Sequence, residues 1–204
     1  MADFEKNELD IFTEMGSIGS GNAATALSQM INKKVSIKPL KTQIVPIEQV
    51  ADEIGGADTM VMAVYLRVMG DLTGDAVYLH PTTQAMRIIN MINGRDIEER
   101  LEPQDDDVSA YKEMSNIFTG SYLNAISSML DIMMVPSVPH YANDMLGSLI
   151  DFILSEVGKT IDSILLIKTE MEISDQAIGG GYLMIFNPDS LQKMREMIRE
   201  RYGF

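Results

Sequence analysis

The chain has no cysteine, no tryptophan, only two histidines and few basic residues, 16 against 30 acidic ones. The lack of cysteine excludes disulfides and thiolate metal sites and fits a reducing compartment. His80 precedes Pro81 and His140 follows Pro139 in distant parts of the sequence, so a histidine metal site has little support and no Ser-His-Asp arrangement can be assembled. A formal charge of −14 gives a field that repels nucleic acid and anionic membrane and favours a partner carrying Lys or Arg. The longest apolar runs, MVMAVYL (60–66) and ILLI (164–167), are far too short to span a bilayer, and the charged start MADFEKNELD has no apolar signal segment. A soluble, cytoplasmic, globular protein is expected, since 46% hydrophobic residues over 204 positions can bury a real core.

What is present is said twice. EMGSIGSGNAATALSQMI (14–31) lies over EMSNIFTGSYLNAISSML (113–130) at an offset of 99 with seven of 18 positions identical, among them Glu14/Glu113, Gly21/Gly120 and Met30/Met129. Later, VYLHPTTQAMRIINMI (77–92) corresponds to MIFNPDSLQKMREMI (184–198) at an offset of 107. The additional residues of the second copy fall around NDMLGSLIDFILSEVG (143–158), where the first copy has only IEQVADEIGG (47–56).

Each copy reads as helix, short connection, strands, helix. MVMAVYLRV (60–68) and DAVYLHP (75–81), split by GDLTGD, have hairpin chemistry, and SILLIKTEMEI (163–173) with GGYLMIF (180–186) repeats the plan. Pro81 and Pro188 mark where a strand gives way to a closing helix. The expected fold is one α/β domain over 1–204, built from pseudosymmetric halves at about 8–95 and 108–200 that form one sheet with the repeated helices on one face. The acidic stretch 96–107 reads as a solvated linker between them.

The glycines of EMGSIGSGN (14–22) invite comparison with a phosphate loop. Such a loop needs a strand feeding it and the spacing GxGxxG or GxxxxGK[ST]. Here a helix-forming stretch, ELDIFTEM, precedes GxxGxG, and the second copy has Phe118 for Gly19 and Ser115 for Gly16. Close helix packing is the expected role.

The copies also share a polar stripe. Ser109, Glu113, Asn116 and Gly120 are spaced i, i+4, i+7 and i+11, which stacks them on one helix face away from Met114, Ile126 and Met129. Asp10, Glu14, Ser17 and Gly21 are their counterparts. A solvated face explains one such stripe; a second copy ending in a glycine that allows close approach points to docking.

Ser109-x3-Glu113-x2-Asn116, followed by 22 residues and then Pro139, resembles the signature of the CheC/CheX/FliY group of chemotaxis phosphatases, which act on phosphorylated CheY. The resemblance covers essentially the whole chain, and GNAATALSQMINKKV (21–35) is similar to its CheC-type members. It implies that Asn116 orients an attacking water on the aspartyl phosphate and that Glu113 pairs with a lysine of the receiver. It also implies that Mg²⁺ is held by the phosphorylated partner, with no cofactor on this chain. In the first stripe the expected Asn is Ser17 and Pro39 comes one residue early, so the Glu14/Ser17 site is expected to be weak. FliY-type chains continue into a switch domain, whereas this sequence stops at Phe204, which favours a CheC-type reading.

In the longer segment of the second copy, Met145, Leu146, Leu149, Ile150, Ile153 and Leu154 recur at helical spacing, and core lining and partner surface fit the pattern equally. The resemblance implies that a helix there docks CheD, a receptor glutamine deamidase. A monomer is expected. A non-enzymatic adaptor for CheD or CheY is the rival reading.

Overall fold

A computed structural model describes residues 6–157, 163–173 and 175–203. In chain order the elements are α1 (Lys6–Ile31), β1 (Val35–Pro46), a 3₁₀ turn (Ile47–Gln49), α2 (Val50–Ile54), β2 (Met60–Gly70), β3 (Gly74–Pro81) and α3 (Thr82–Ile92). The second series is α4 (Asp105–Leu130), β4 (Met134–Pro136), β5 (His140–Met145), α5 (Leu146–Val157), β6 (Ser163–Ile173), β7 (Gln176–Phe186) and α6 (Pro188–Tyr202). Among the described residues seven strands form one sheet in the order β1-β6-β7-β3-β2, with β4 and β5 both paired to the far side of β2. Every pairing is antiparallel.

Exchanging the two copies leaves this order unchanged, because β1 trades with β4 and β5, β2 with β6, and β3 with β7. The central register obeys the same exchange. The 107-residue offset carries Asp75 onto Tyr182 and Tyr78 onto Ile185, and the partners across β3 and β7 are Asp75–Ile185 and Tyr78–Tyr182.

Side chains alternate between the faces of a strand, so each central strand feeds two cores. Met62, Val64, Leu66 and Val68 of β2 pack with α1, α3, α4 and α6, while Val61 and Ala63 pack with the 3₁₀ turn, α2 and α5. The repeated helices therefore share one face of the sheet. The hairpin closes tightly at Gly70, where φ is +125° and an added Cβ would lie 2.1 Å from the Met133 carbonyl oxygen. At the closing helices Pro188 occupies the first turn of α6, where the Asn187 side chain caps the Ser190 N–H at 2.8 Å.

The outer strands were hidden in the sequence by proline. β1 carries Pro39 beside an irregularity in its pairing with β6, between Pro39 and Lys41, and an edge strand tolerates this because its outer N–H groups need no ladder partner. On the opposite edge Pro139 sits in the break between β4 and β5. The stretch 96–107 is less of a solvated linker than its charge suggests. Its last three residues form the first turn of α4, and Asp107 is fully buried.

Candidate functional site

The glycine-rich stretch 14–22 lies inside α1, as continuous helix. Gly19 is there for packing: a Cβ would stand 2.8 Å from the Tyr122 ring of α4, and that ring is stacked on Phe118 at a centroid distance of 4.7 Å. The Tyr122 hydroxyl also forms a short hydrogen bond with Ser20. The offset of 99 pairs Gly19 with Phe118 and the buried Ala23 with Tyr122. Thus one helix supplies the two large groups and the other the two small ones, because like residues cannot both fill the same space between two close-packed helices.

On α4, Ser109 and Glu113 are exposed and Asn116 and Gly120 are half-buried, while Met114 and Ile126 are buried on the opposite side. Neither the Glu113 carboxylate nor the Asn116 amide has a hydrogen-bond or ion-pair partner among the described residues. No Cβ contact lies within 4 Å at Gly120, so the ridge stays open at its C-terminal end. The stripe on α1 is exposed throughout, at Asp10, Glu14, Ser17 and Gly21. Its chemistry differs. Ser17 Oγ donates to the Thr13 carbonyl oxygen at 2.9 Å, so its one hydrogen is committed to its own helix.

Each stripe begins just after a buried carboxylate that the sequence reading passed over. Asp107 Oδ1 accepts from Arg95 Nη1 at 2.6 Å, and its Oδ2 accepts from Arg100 Nη1 at 2.7 Å and from the Gln104 N–H at 3.0 Å. Burial raises the Asp107 carboxyl, but the hydrogen bonds from Arg100, Arg95 and Gln104 outweigh it and hold it below the usual carboxylate range. In α1, Glu8 is likewise fully buried and accepts from Arg195 Nε at 3.1 Å and Arg199 Nε at 2.9 Å. The offset of 99 carries Glu8 onto Asp107, which was the signal available in the sequence. The arginines themselves do not correspond: one pair follows α3, the other lies on α6.

Beneath α4, the Tyr111 hydroxyl donates to the Met62 carbonyl oxygen at 3.0 Å and lies 3.0 Å from His80 Nδ1. Because the Tyr111 proton is committed to Met62, His80 Nδ1 carries the hydrogen. Burial pushes the His80 imidazole down to about 3, so it stays neutral, and it is packed over Gly180, where a Cβ would come within 2.2 Å of Nε2. His140 is exposed and far along the chain; among the described residues no group of three or more His, Asp or Glu side chains is arranged to hold a metal.

The helical run of the longer segment starts at Leu146; Met145 closes β5 instead. Leu146, Ile150 and Ile153 are buried against the sheet with Val61 and Leu166, which removes them from a docking surface and corrects their assignment to CheD contact. Leu149 and Leu154 are half-buried, and Met145 and Phe152 are exposed. A cavity of about 610 Å³ runs between α5 and the sheet, lined by Tyr65, Tyr141, Leu149 and Phe152 among others.

The family model for the CheC-like family matches residues 8–39, the first stripe and the start of β1. The CheY-P phosphatase CheC of Bacillus subtilis strain 168 is 31% identical over 195 residues, covering 93% of each chain. Among solved structures, Thermotoga maritima FliY matches with a TM-score of 0.82 at 22% identity, covering 98% of this chain and 100% of that one. The CheX–CheY–BeF3–Mg²⁺ complex of Borrelia burgdorferi matches with a TM-score of 0.50 at 12% identity, covering 82% of this chain and 95% of that one. Identity at this level over nearly the full length of both chains, together with the repeated stripes, establishes that the chain belongs to the CheC-like family.

Proposed function

We propose that the protein accelerates hydrolysis of the aspartyl phosphate on a CheY-type response regulator, using the α4 ridge. The observation that carries this reading is that Glu113 and Asn116, one turn apart on an open face, have no partners within the described residues, so both are available to a docked protein. The relative named a CheY-P phosphatase supports the reaction class.

Phosphoryl transfer to water is largely positioning and charge stabilisation. The receiver supplies the phosphorylated Asp, Mg²⁺ and a lysine. The Asn116 amide accepts a hydrogen bond from water and donates toward an oxygen, which fixes the water in line without adding negative charge beside the phosphate. Glu113 forms a charge-assisted pair with the lysine and sets the orientation of the docked helix. Gly120 leaves room for close approach. On α1, Ser17 is too short to hold the water at the same place and its hydrogen is already committed to Thr13, so Glu14 and Ser17 form a weak or silent site.

The test is the decay of phosphorylated receiver with Mg²⁺, alone, with the protein and with Asn116→Ala. A held water is worth roughly 10²–10³ in rate, so the substitution is expected to remove nearly all acceleration. Retention of most activity by Asn116→Ala rejects the assignment.

A second surface is proposed for CheD at the flank of α5. The buried positions cannot serve, but Leu149 and Phe152 line the cavity, Met145 is exposed at the end of β5 just before α5, and the Phe152 ring stands edge-on to Tyr65 with centroids 6.5 Å apart. Phe152→Asp is expected to abolish binding to a cognate CheD in a calorimetric titration while leaving phosphatase activity intact; undiminished binding by this variant rejects the surface.

A further inference from the structure

Both stripes start two residues after a carboxylate that is buried and gripped by two arginines, and in each case the arginines lie on, or in the segment that follows, the closing helix of the other half. Asp107 is held by Arg95 and Arg100, from the segment after α3, and Glu8 by Arg195 and Arg199 of α6. The repeat supplies the two carboxylates, at an offset of 99, but not their partners, since the arginines are not equivalent positions. Its common feature is placement in the first turn of the helix that bears the stripe.

That turn is where a helix is least secure, because its N–H groups lack intrahelical acceptors. A carboxylate there satisfies the free amides and the macrodipole, as Asp107 does for the Gln104 N–H. A buried carboxylate with every oxygen committed does more than cap. It is satisfied at one rotation of the helix about its axis, and the rotation determines where the opposite face points. Ser109 and Glu113 lie on that face within the next two turns.

We propose that Asp107, through Arg95 and Arg100, is a positioning residue for Glu113 and Asn116, and that Glu8 holds the α1 stripe by the same device. This rests on the phosphatase reading of the α4 ridge. Each clamp ties a ridge to the closing segment of the opposite half, so the orientation of a site is set by the half that does not contain it.

The two clamps give an internal control. Asp107→Asn keeps the side-chain shape and removes the charge, while Arg95 and Arg100 retain Asp106 at 2.7 and 3.0 Å, so the fold is expected to survive. Glu8→Gln makes the matching change under the silent stripe. Steady-state hydrolysis of phosphorylated receiver and thermal unfolding should be measured for both. For Asp107→Asn, KM is expected to rise and kcat/KM to fall about tenfold, because misplaced docking groups lose productive geometry. For Glu8→Gln, a comparable drop in melting temperature with less than a twofold change in kcat/KM is expected. Losses of activity that simply track the loss of stability in both variants, or an unchanged KM for Asp107→Asn, overturn the proposal. Amide exchange separates this from failure of the phosphatase reading. If the wild-type chain has no activity, that reading fails, and the clamp is still tested by exchange over residues 108–113, which Asp107→Asn is expected to accelerate selectively; unchanged exchange overturns it.

Discussion

α1 and α4 are 26-residue helices with a common sequence pattern, a common stripe and a common buried clamp, yet they differ in the side chains of their shared interface and in the chemistry of their stripes. α4 carries the large side chains of their interface, Phe118 and Tyr122, and the Asn116 amide in its stripe. α1 carries Gly19 and Ala23 opposite them and a hydroxyl that bonds back to its own backbone. The comparison teaches that duplication fixes the scaffold by symmetry while packing forces asymmetry. Residues at an interface between two copies meet each other, so one copy must give way. Residues on the outer ridge meet only solvent or a partner and are free to keep or lose their chemistry.

The largest expected effect comes from exchanging that chemistry. In an Asn116→Ala background, Ser17→Asn is expected to restore the rate of receiver dephosphorylation by at least about tenfold, since an amide at this place fixes water that a hydroxyl cannot reach. No recovery in the decay assay would place the difference between the halves outside residue 17, with Pro39 and the β1 irregularity next in question.

The interface asymmetry predicts a smaller change, in stability. Gly19→Ala must displace the Tyr122 ring, which is pinned between the Phe118 stack and the Ser20 hydrogen bond, so a loss of about 1–3 kcal/mol is expected in chemical denaturation. A neutral result would mean that α1 and α4 can separate without cost.

His80 aligns with Asn187, and this pair distinguishes the halves by pH. The folded imidazole titrates near 3 and the unfolded one near its ordinary value of about 6.5, so its contribution is complete above about 6.5 and is lost as pH falls and the unfolded chain binds the proton. Between pH 6.5 and 5.5 this amounts to about 1 kcal/mol. His80→Asn is expected to be less stable at pH 7 and to lose that slope, as measured by denaturant titrations across the interval. An unchanged slope would assign the pH dependence to other groups.

The smallest effect is a gain. Gly120 has open space at its Cβ position in mid-helix, so Gly120→Ala is expected to stabilise by up to about 1 kcal/mol while weakening receiver binding. A gain in stability with unaltered affinity would show that the ridge needs no close approach there.

Much of this was written in the chain. The offset of 99 disclosed two equivalent helices, the period-two runs around GDLTGD and the Pro81 and Pro188 boundaries disclosed the inner strands and closing helices, and the spacing of Ser109, Glu113 and Asn116 placed them on one face. These features are local, and local pattern is what a sequence displays directly. β1, β4 and β5 were not legible, because edge strands carry proline and polar residues and lack the alternation of a half-buried strand. Leu146, Ile150 and Ile153 could not be told from partner-facing positions for a related reason: a helix with an apolar stripe reads the same whether the stripe meets a sheet or a partner, and only the cover supplied by Val61 and Leu166 decides that these three face inward. Glu8 and Asp107 were passed over because a charged residue among charged residues looks solvated. The sequence by itself determined the duplication, the helix faces and the unequal chemistry of Ser17 and Asn116. Tertiary structure alone decided which faces are buried and which arginines, distant in sequence, hold each carboxylate, because burial and ion pairing depend on contacts between segments far apart in the chain.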